Sequence, residues 1–258
     1  MASGKDYLKL HFIVFLWGFS AILGKLVSIP AVEMIVFRAL LAVVGMGIVI
    51  YFAKESLIVT RKDLIKLFLI GLIVALHWIA FFGSLVILGL YIIFSFDFRY
   101  KAGLALGILA GFTSALFSVF NSGMVRRIGP RTITFYEMCG VLLGSLLFLP
   151  VYRQFGAVHG ELHLMPLPQD WIYIGLLAGV CSVYAYTVSV ELMKRVSVFL
   201  MQLTLNLEPL YGIIMAILIF GDAEKMSLNF YVGTGLILTA VLSYPFLKKR
   251  FIKTVLID

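Results

Sequence analysis

From Leu67 to Phe96 the chain runs thirty residues without an Asp, Glu, Lys or Arg. An α-helix rises about 1.5 Å per residue and bilayer hydrocarbon is about 30 Å thick, so about twenty such residues suffice to cross it. Seven other apolar blocks flank this run, near residues 10 to 24, 34 to 52, 102 to 122, 132 to 152, 171 to 190, 197 to 220 and 229 to 247. With 62% hydrophobic and 13% charged residues and a mean hydropathy of +1.07, the composition excludes an ordinary soluble domain. Backbone groups in lipid must be bonded within their own segment, which leaves helices or closed barrels. Barrel strands would read as alternating segments of about ten residues, and none is present. The expected fold is therefore an all-α, polytopic transmembrane bundle of about eight spans. Lys5 and Lys9 before an apolar core imitate a signal peptide, but no small-x-small cleavage site follows cleanly, so this block reads as the first retained span.

The thirty-residue run could cross once or twice, and the basic residues discriminate, because Lys and Arg in short loops favour the cytoplasmic face. With one crossing and an inner N-terminus, the cytoplasmic side holds Lys5, Lys9, Lys54, Arg61, Lys62, Lys66, Arg126, Arg127, Arg131, Lys194, Arg195, Lys248, Lys249, Arg250 and Lys253. The other side holds Lys25, Arg99, Lys101, Arg153 and Lys225, with Arg38 inside a span. Two crossings would divide the same loop charges evenly. One crossing is expected, with both termini cytoplasmic and the plasma membrane as location. The segment must then tilt, bend at Gly83 or Gly89, or project beyond the bilayer. The net charge of +8 is accounted for by these topological clusters, so no nucleic-acid partner is expected.

The two halves of the chain echo one another. GFSA at 18 to 21 parallels GFTSA at 111 to 115, and Phe37-Arg38-Ala39 parallels Tyr136-Glu137-Met138. IGL at 70 to 72 matches IGL at 174 to 176, whereas SLVILGLYIIFSF at 84 to 96 lies over TGLILTAVLSYPF at 234 to 246. The offset thus jumps from 104 to 150, which is one span with its loops. The reading is two inverted repeats, residues 1–100 and 101–258, the first one helix short and the second complete with five. Removing one helix and fusing its two neighbours, which run in the same direction, leaves all downstream orientations unchanged.

The residues that carry these echoes also resemble a known family. FLWGFSAILGK and IVFRALLA in the first half, and QDWIYIGLLAGVCSVYAYTVSVELMKRVSVFLMQLTLNLEPLYGIIMAILIFGD followed by YVGTGLILTAVLSY in the second, are similar to the drug/metabolite transporter superfamily, specifically EamA-type carriers. The resemblance implies ten helices in two inverted five-helix repeats that move small organic solutes, often outward. This chain departs from that pattern in lacking the counterpart of the fourth helix, which in the family helps to line the central cavity.

Ionisable and aromatic residues inside spans supply the candidate site, because polar groups in hydrocarbon are costly. Glu208 lies about ten residues into its span, in Asn206-Leu207-Glu208-Pro209, where Pro209 donates no backbone hydrogen bond and should bend the helix toward a cavity. It is the candidate to bind a proton or a substrate cation, with Gln202 and Asn206 as inward-pointing companions; the alternative is a kink whose carboxyl bonds a neighbouring helix. Arg38 and Glu137 occupy matched positions, but the inverted topology puts them at levels roughly 10 Å apart, which argues against a direct ion pair. Each is expected to bond backbone carbonyls or a wet cavity on its own side. His77 and Trp78, beside Phe81 and Phe82, and Tyr184 and Tyr186 offer aromatic walls for an amphipathic solute. Trp17 and Ser20, next to Gly18, mark a cavity edge or a close helix contact. Cys139 and Cys181 fall in apolar blocks as packing residues.

His159-Gly160-Glu161-Leu162-His163 imitates a metal site without the companion ligands zinc requires. No phosphate-binding glycine loop, Ser/His/Asp set or paired catalytic carboxylates can be assembled, so neither a cofactor nor an enzyme is expected. The functional expectation is a carrier moving a small organic metabolite by alternating access. Its partners are the lipid bilayer and the solute, with room for protons and for a homodimer. The rival expectation is a non-transporting membrane protein, either a partner subunit or a defective carrier fragment.

Overall fold

The computed structural model describes residues 2–94 and 97–221, with Gly235 and Thr239 beyond them, and the side chains of 86–100 are not among those described. The expected span at 229 to 247, and with it the C-terminal basic cluster, lies outside the described residues. Among the described residues the regular structure is helical throughout, and seven helices are long and apolar enough to cross a membrane. They are α1 (Gly4–Leu26), α2 (Ala31–Ala53), α3 (Arg61–Phe94), α4 (Asp97–Met124), α5 (Pro130–Phe155), α6 (Asp170–Leu192) and α7, which is broken into α7a (Val198–Leu205) and α7b (Glu208–Phe220).

Within the apolar run, residues 67–94 belong to one unbroken helix. α3 has 34 residues and continues through Gly83, so by its rise it is roughly 50 Å long, more than the bilayer thickness requires. Local sequence fixes where the helices start. Ser3 caps α1 reciprocally with Asp6: Ser3 Oγ accepts from the Asp6 N–H at 3.3 Å, and the Ser3 N–H donates to Asp6 Oδ2 at 2.8 Å. At the start of α3 Thr60 Oγ1 likewise accepts from the Asp63 N–H, at 3.2 Å, and the Thr60 hydroxyl donates to Asp63 Oδ2 at 3.0 Å. Pro130 opens α5, where its missing N–H costs nothing.

Helix ends alternate between two faces. One face gathers Ser3, the 54–60 and 125–129 connections and the 193–197 turn, where Arg195 pairs with Asp6 at 2.9 Å, Arg127 with Asp63 at 2.7 Å, and Arg131 with Glu55. The opposite face gathers 27–30 and 156–169, where the Ser28 hydroxyl donates to Asp170 at 2.5 Å and the His163 N–H to Glu33 at 3.3 Å. Lipid replaces water as the outer solvent: on α2, Leu40, Val44 and Ile48 are exposed at four-residue spacing while Ala39, Ala42, Met46 and Ile50 are buried.

Small residues set the closest packing. A Cβ on Gly140 would come within 2.7 Å of the Phe68 carbonyl and 2.8 Å of Gly71 Cα, so α3 and α5 meet backbone to backbone. α1 and α7b do the same, since a Cβ on Gly18 would lie 2.9 Å from both the Glu208 carbonyl and the Gly212 nitrogen. That second contact places Glu208 beside Trp17 and Ser20.

Candidate functional site

At the centre of the bundle is a cavity of about 90 Å³. α1 contributes Trp17 and Ser20, α2 Arg38, α3 His77 and Trp78, α6 Tyr186, and α7b Glu208. Seven of the residues singled out from sequence therefore converge on one space. Arg38 and Glu208 bring a guanidinium and a carboxyl group into a wall that also holds Phe81, Phe82 and Phe117, with serines, Met193, Met201 and Leu205 among the remaining residues.

Arg38, His77 and Trp17 are each held by a specific bond. Arg38 is buried; its Nε donates to Ser182 Oγ at 2.9 Å and its guanidinium lies 3.9 Å over the Trp78 ring. This pairs the cation with an aromatic face where water is scarce. His77 Nδ1 donates to the Ala110 carbonyl at 2.9 Å, which fixes the ring against α4. Trp17 Nε1 donates to the Cys181 carbonyl at 3.0 Å. Glu208 is the first residue of α7b, directly after the break at Asn206 and Leu207, with Pro209 in its first turn. The sequence suggests a bend here; the structure has two half-helices, and the Tyr211 N–H resumes the ladder on the Leu207 carbonyl at 3.0 Å.

The remaining candidates lie elsewhere. Tyr184 is 48% exposed and packs edge-on against Phe12, away from the cavity. Asn206 is exposed. Gln202 is tied to α4, its Nε2 donating to Ser118 Oγ at 2.7 Å and to the Ser114 carbonyl at 3.1 Å. Glu137 is fully buried one layer behind the wall, where Oε2 accepts from the Tyr186 hydroxyl at 2.6 Å and from Asn121 Nδ2 at 3.1 Å. Arg38 and Glu137 are thus bonded to side chains of other helices rather than to backbone carbonyls, and not to one another.

Sequence reasoning missed two contributors. The first is α4, whose Ser114, Phe117 and Ser118 line the cavity and whose Asn121 reaches Glu137. The second is the middle of α6, where Leu177–Ala185 is wound as a π-helix. Ser182 Oγ donates to the Leu177 carbonyl, five residues back, at 3.1 Å while accepting from Arg38. Wide turns of this kind recur at functional sites because they turn side chains and carbonyls off the regular helical register. Cys181, read as a packing residue, is buried and also lines the cavity.

Seven helices long and apolar enough to cross a membrane, running between two faces around a polar and aromatic cavity, define a multi-span helical membrane protein. The chain belongs to the EamA-like transporter family, whose model matches residues 101–244. Membership makes it an integral membrane transporter of small solutes. The fold is similar to that of a protein known from a crystal structure, 14% identical, at a TM-score of 0.65 over 95% of this chain and 99% of that one. No curated protein matches it.

Proposed function

We propose that the chain is a carrier that moves a small amphipathic organic metabolite across the plasma membrane by alternating access around the central cavity. The observation that carries this reading is that a buried guanidinium, Arg38, and a carboxyl group, Glu208, line one space together with several aromatic rings. Trp78, Phe81, Phe82 and Phe117 suit the apolar part of a solute, and Arg38 or Glu208 its charged end. At about 90 Å³ the space is well below the roughly 300–1,000 Å³ of sites that enclose small molecules. A solute enters only when helices part, which is what alternating access requires. Glu208, an ionisable carboxyl group within a span and in the cavity wall, suits a proton or a substrate cation.

In this reading both termini are cytoplasmic, the face carrying Arg127, Arg131 and Arg195 is the inner one, and transport runs outward. The first half works one helix short of the second, with α4 supplying wall residues between α3 and α7a. Purified protein in liposomes, loaded with a metabolite mixture and diluted into labelled mixture, tests the proposal. Saturable exchange that persists but loses its pH dependence in Glu208→Gln is the expected result. Absence of exchange in wild type would instead favour a non-transporting partner subunit.

A further inference from the structure

Glu137 and Asn121 have no accessible surface at all, yet each keeps an oxygen without a hydrogen-bond partner: Glu137 Oε1 and Asn121 Oδ1. Buried polar atoms are nearly always satisfied, and a buried carboxylate with one bare oxygen is especially costly. No ion pair among the described residues involves Glu137. Charged groups on the surrounding elements are engaged or distant. Arg38 of α2 holds Ser182 and Trp78, and Asp63 of α3 holds Arg127. Arg61, Lys62 and Lys66 of α3 and Lys101 of α4 are exposed. On α6, Asp170 is bonded to Ser28 and Glu191 lies 3.8 Å from Arg195. On α5 itself Arg131 meets Glu55, and Arg153 donates to the Gly160 carbonyl beside His159. What faces the Glu137 carboxyl is Tyr186 at 2.6 Å and Asn121 at 3.1 Å, themselves 3.3 Å apart.

We propose that Glu137 is a proton-binding site behind the cavity, and that the Tyr186 hydroxyl reports its occupancy to the cavity. Tyr186 belongs to both places: its ring lines the cavity and its oxygen contacts Glu137 Oε2. With Glu137 ionised, the phenolic hydrogen lies on the 2.6 Å line to Oε2. When Oε2 takes up one proton, the same short contact persists with the acid O–H donating to Tyr186 Oη. The phenolic hydrogen must then leave that line and becomes available to the cavity. No heavy atom has to move, and exactly one proton is taken from solution for each site filled. A solute presenting a carboxylate or carbonyl to Tyr186 is therefore bound with proton uptake. That last consequence rests on the carrier reading, whereas the proton site itself does not.

The test needs no solute. Infrared difference spectra of the full chain in liposomes, stepped in pH, report the C=O stretch of protonated carboxyl groups. One pH-dependent component should vanish in Glu137→Gln, shift in frequency in Tyr186→Phe, and stay unchanged in Glu208→Gln and Tyr184→Phe. A spectrum with no pH-dependent component removed by Glu137→Gln would overturn the proton site. A component indifferent to Tyr186→Phe would overturn the link to the cavity. If Glu137→Gln fails to fold, the Tyr186→Phe shift alone decides, since that variant keeps the carboxyl, and the absence of a shift sinks the proposal. Liposome exchange measured in parallel keeps the outcome separate, because the band can be present in a protein that carries nothing.

Discussion

Arg38 and Glu137, the sequence-matched ionisable residues of the two halves, hold the same helix four residues apart: Arg38 Nε bonds Ser182 Oγ at 2.9 Å, and Glu137 Oε2 bonds the Tyr186 hydroxyl at 2.6 Å. Between these two anchor points α6 is wound as a π-helix. The cavity wall is therefore gripped from α2 on one side and from α5 on the other. Replacing Arg38 by Lys keeps a cation but loses the planar contact with Trp78 and the directed Nε bond. We expect Arg38→Lys to lower exchange in liposomes at least tenfold with expression retained; unchanged exchange would show that the guanidinium geometry is dispensable.

Glu208 gives a prediction of a different kind. Glu208→Gln keeps the size of the side chain and removes its capacity to ionise. Transport should become independent of pH over the range where wild-type transport varies, measured as initial rates at matched solute concentration. A variant whose pH profile superimposes on that of wild type would remove Glu208 from the coupling scheme.

Trp17 Nε1 is the cap on the Cys181 carbonyl inside the π segment. Trp17→Phe removes that hydrogen bond, at a net cost of about 0.5–1.5 kcal/mol. Thermal unfolding in detergent, followed by light scattering, should show the loss. Trp171, stacked edge-on against Phe37 at 5.4 Å, provides the control, because Trp171→Phe preserves an aromatic contact and should cost less.

Asp6 is both the capping-box acid of α1 and the partner of Arg195. Asp6→Asn retains a capping oxygen and removes the charge; Asp6→Ala removes both. Loss of the cap lowers stability, and the pair, with its arginine side chain 38% exposed, adds a smaller contribution that solvent and salt screen. The expected order of melting temperature is wild type, then Asn, then Ala. High salt should narrow the first gap and leave the second.

Topology can be read by labelling single cysteines in a background lacking Cys139 and Cys181. Arg126→Cys, Lys194→Cys and Lys249→Cys should react from one side of the membrane, and Gln154→Cys from the other. Arg126 and Lys249 reacting from opposite compartments would overturn the number of crossings.

The spans were legible because lipid leaves a chain few choices: apolar length sufficed to find all seven described helices, and α3 is a single helix, as one crossing requires. Details inside the bundle were legible only where geometry leaves a trace. Tyr184 and Tyr186 are two residues apart, which on a helix of 3.6 residues per turn points them about 200° apart. Only one could line the cavity, and it is Tyr186. Ser114, Ser118 and Asn121, at i, i+4 and i+7, form a polar stripe that could have been recognised, but small hydroxyls are ordinary at helix contacts in membranes and so attract little notice. Nothing in Leu177–Ala185 announces a π-helix, because that winding needs no special residue. Pro209 marked a disturbance without deciding between a bend and a break.

Side chains act as the springs of a protein interior, yielding by a rotamer before the main chain has to move. Between Gly18 and Gly212 there is no spring, since each glycine rests on the backbone of the other helix. A push on α1 is delivered undamped to α7b, so Trp17, Ser20 and Glu208 travel as a single piece, and the slack for any change of shape has to come from the two residues at which α7 is interrupted.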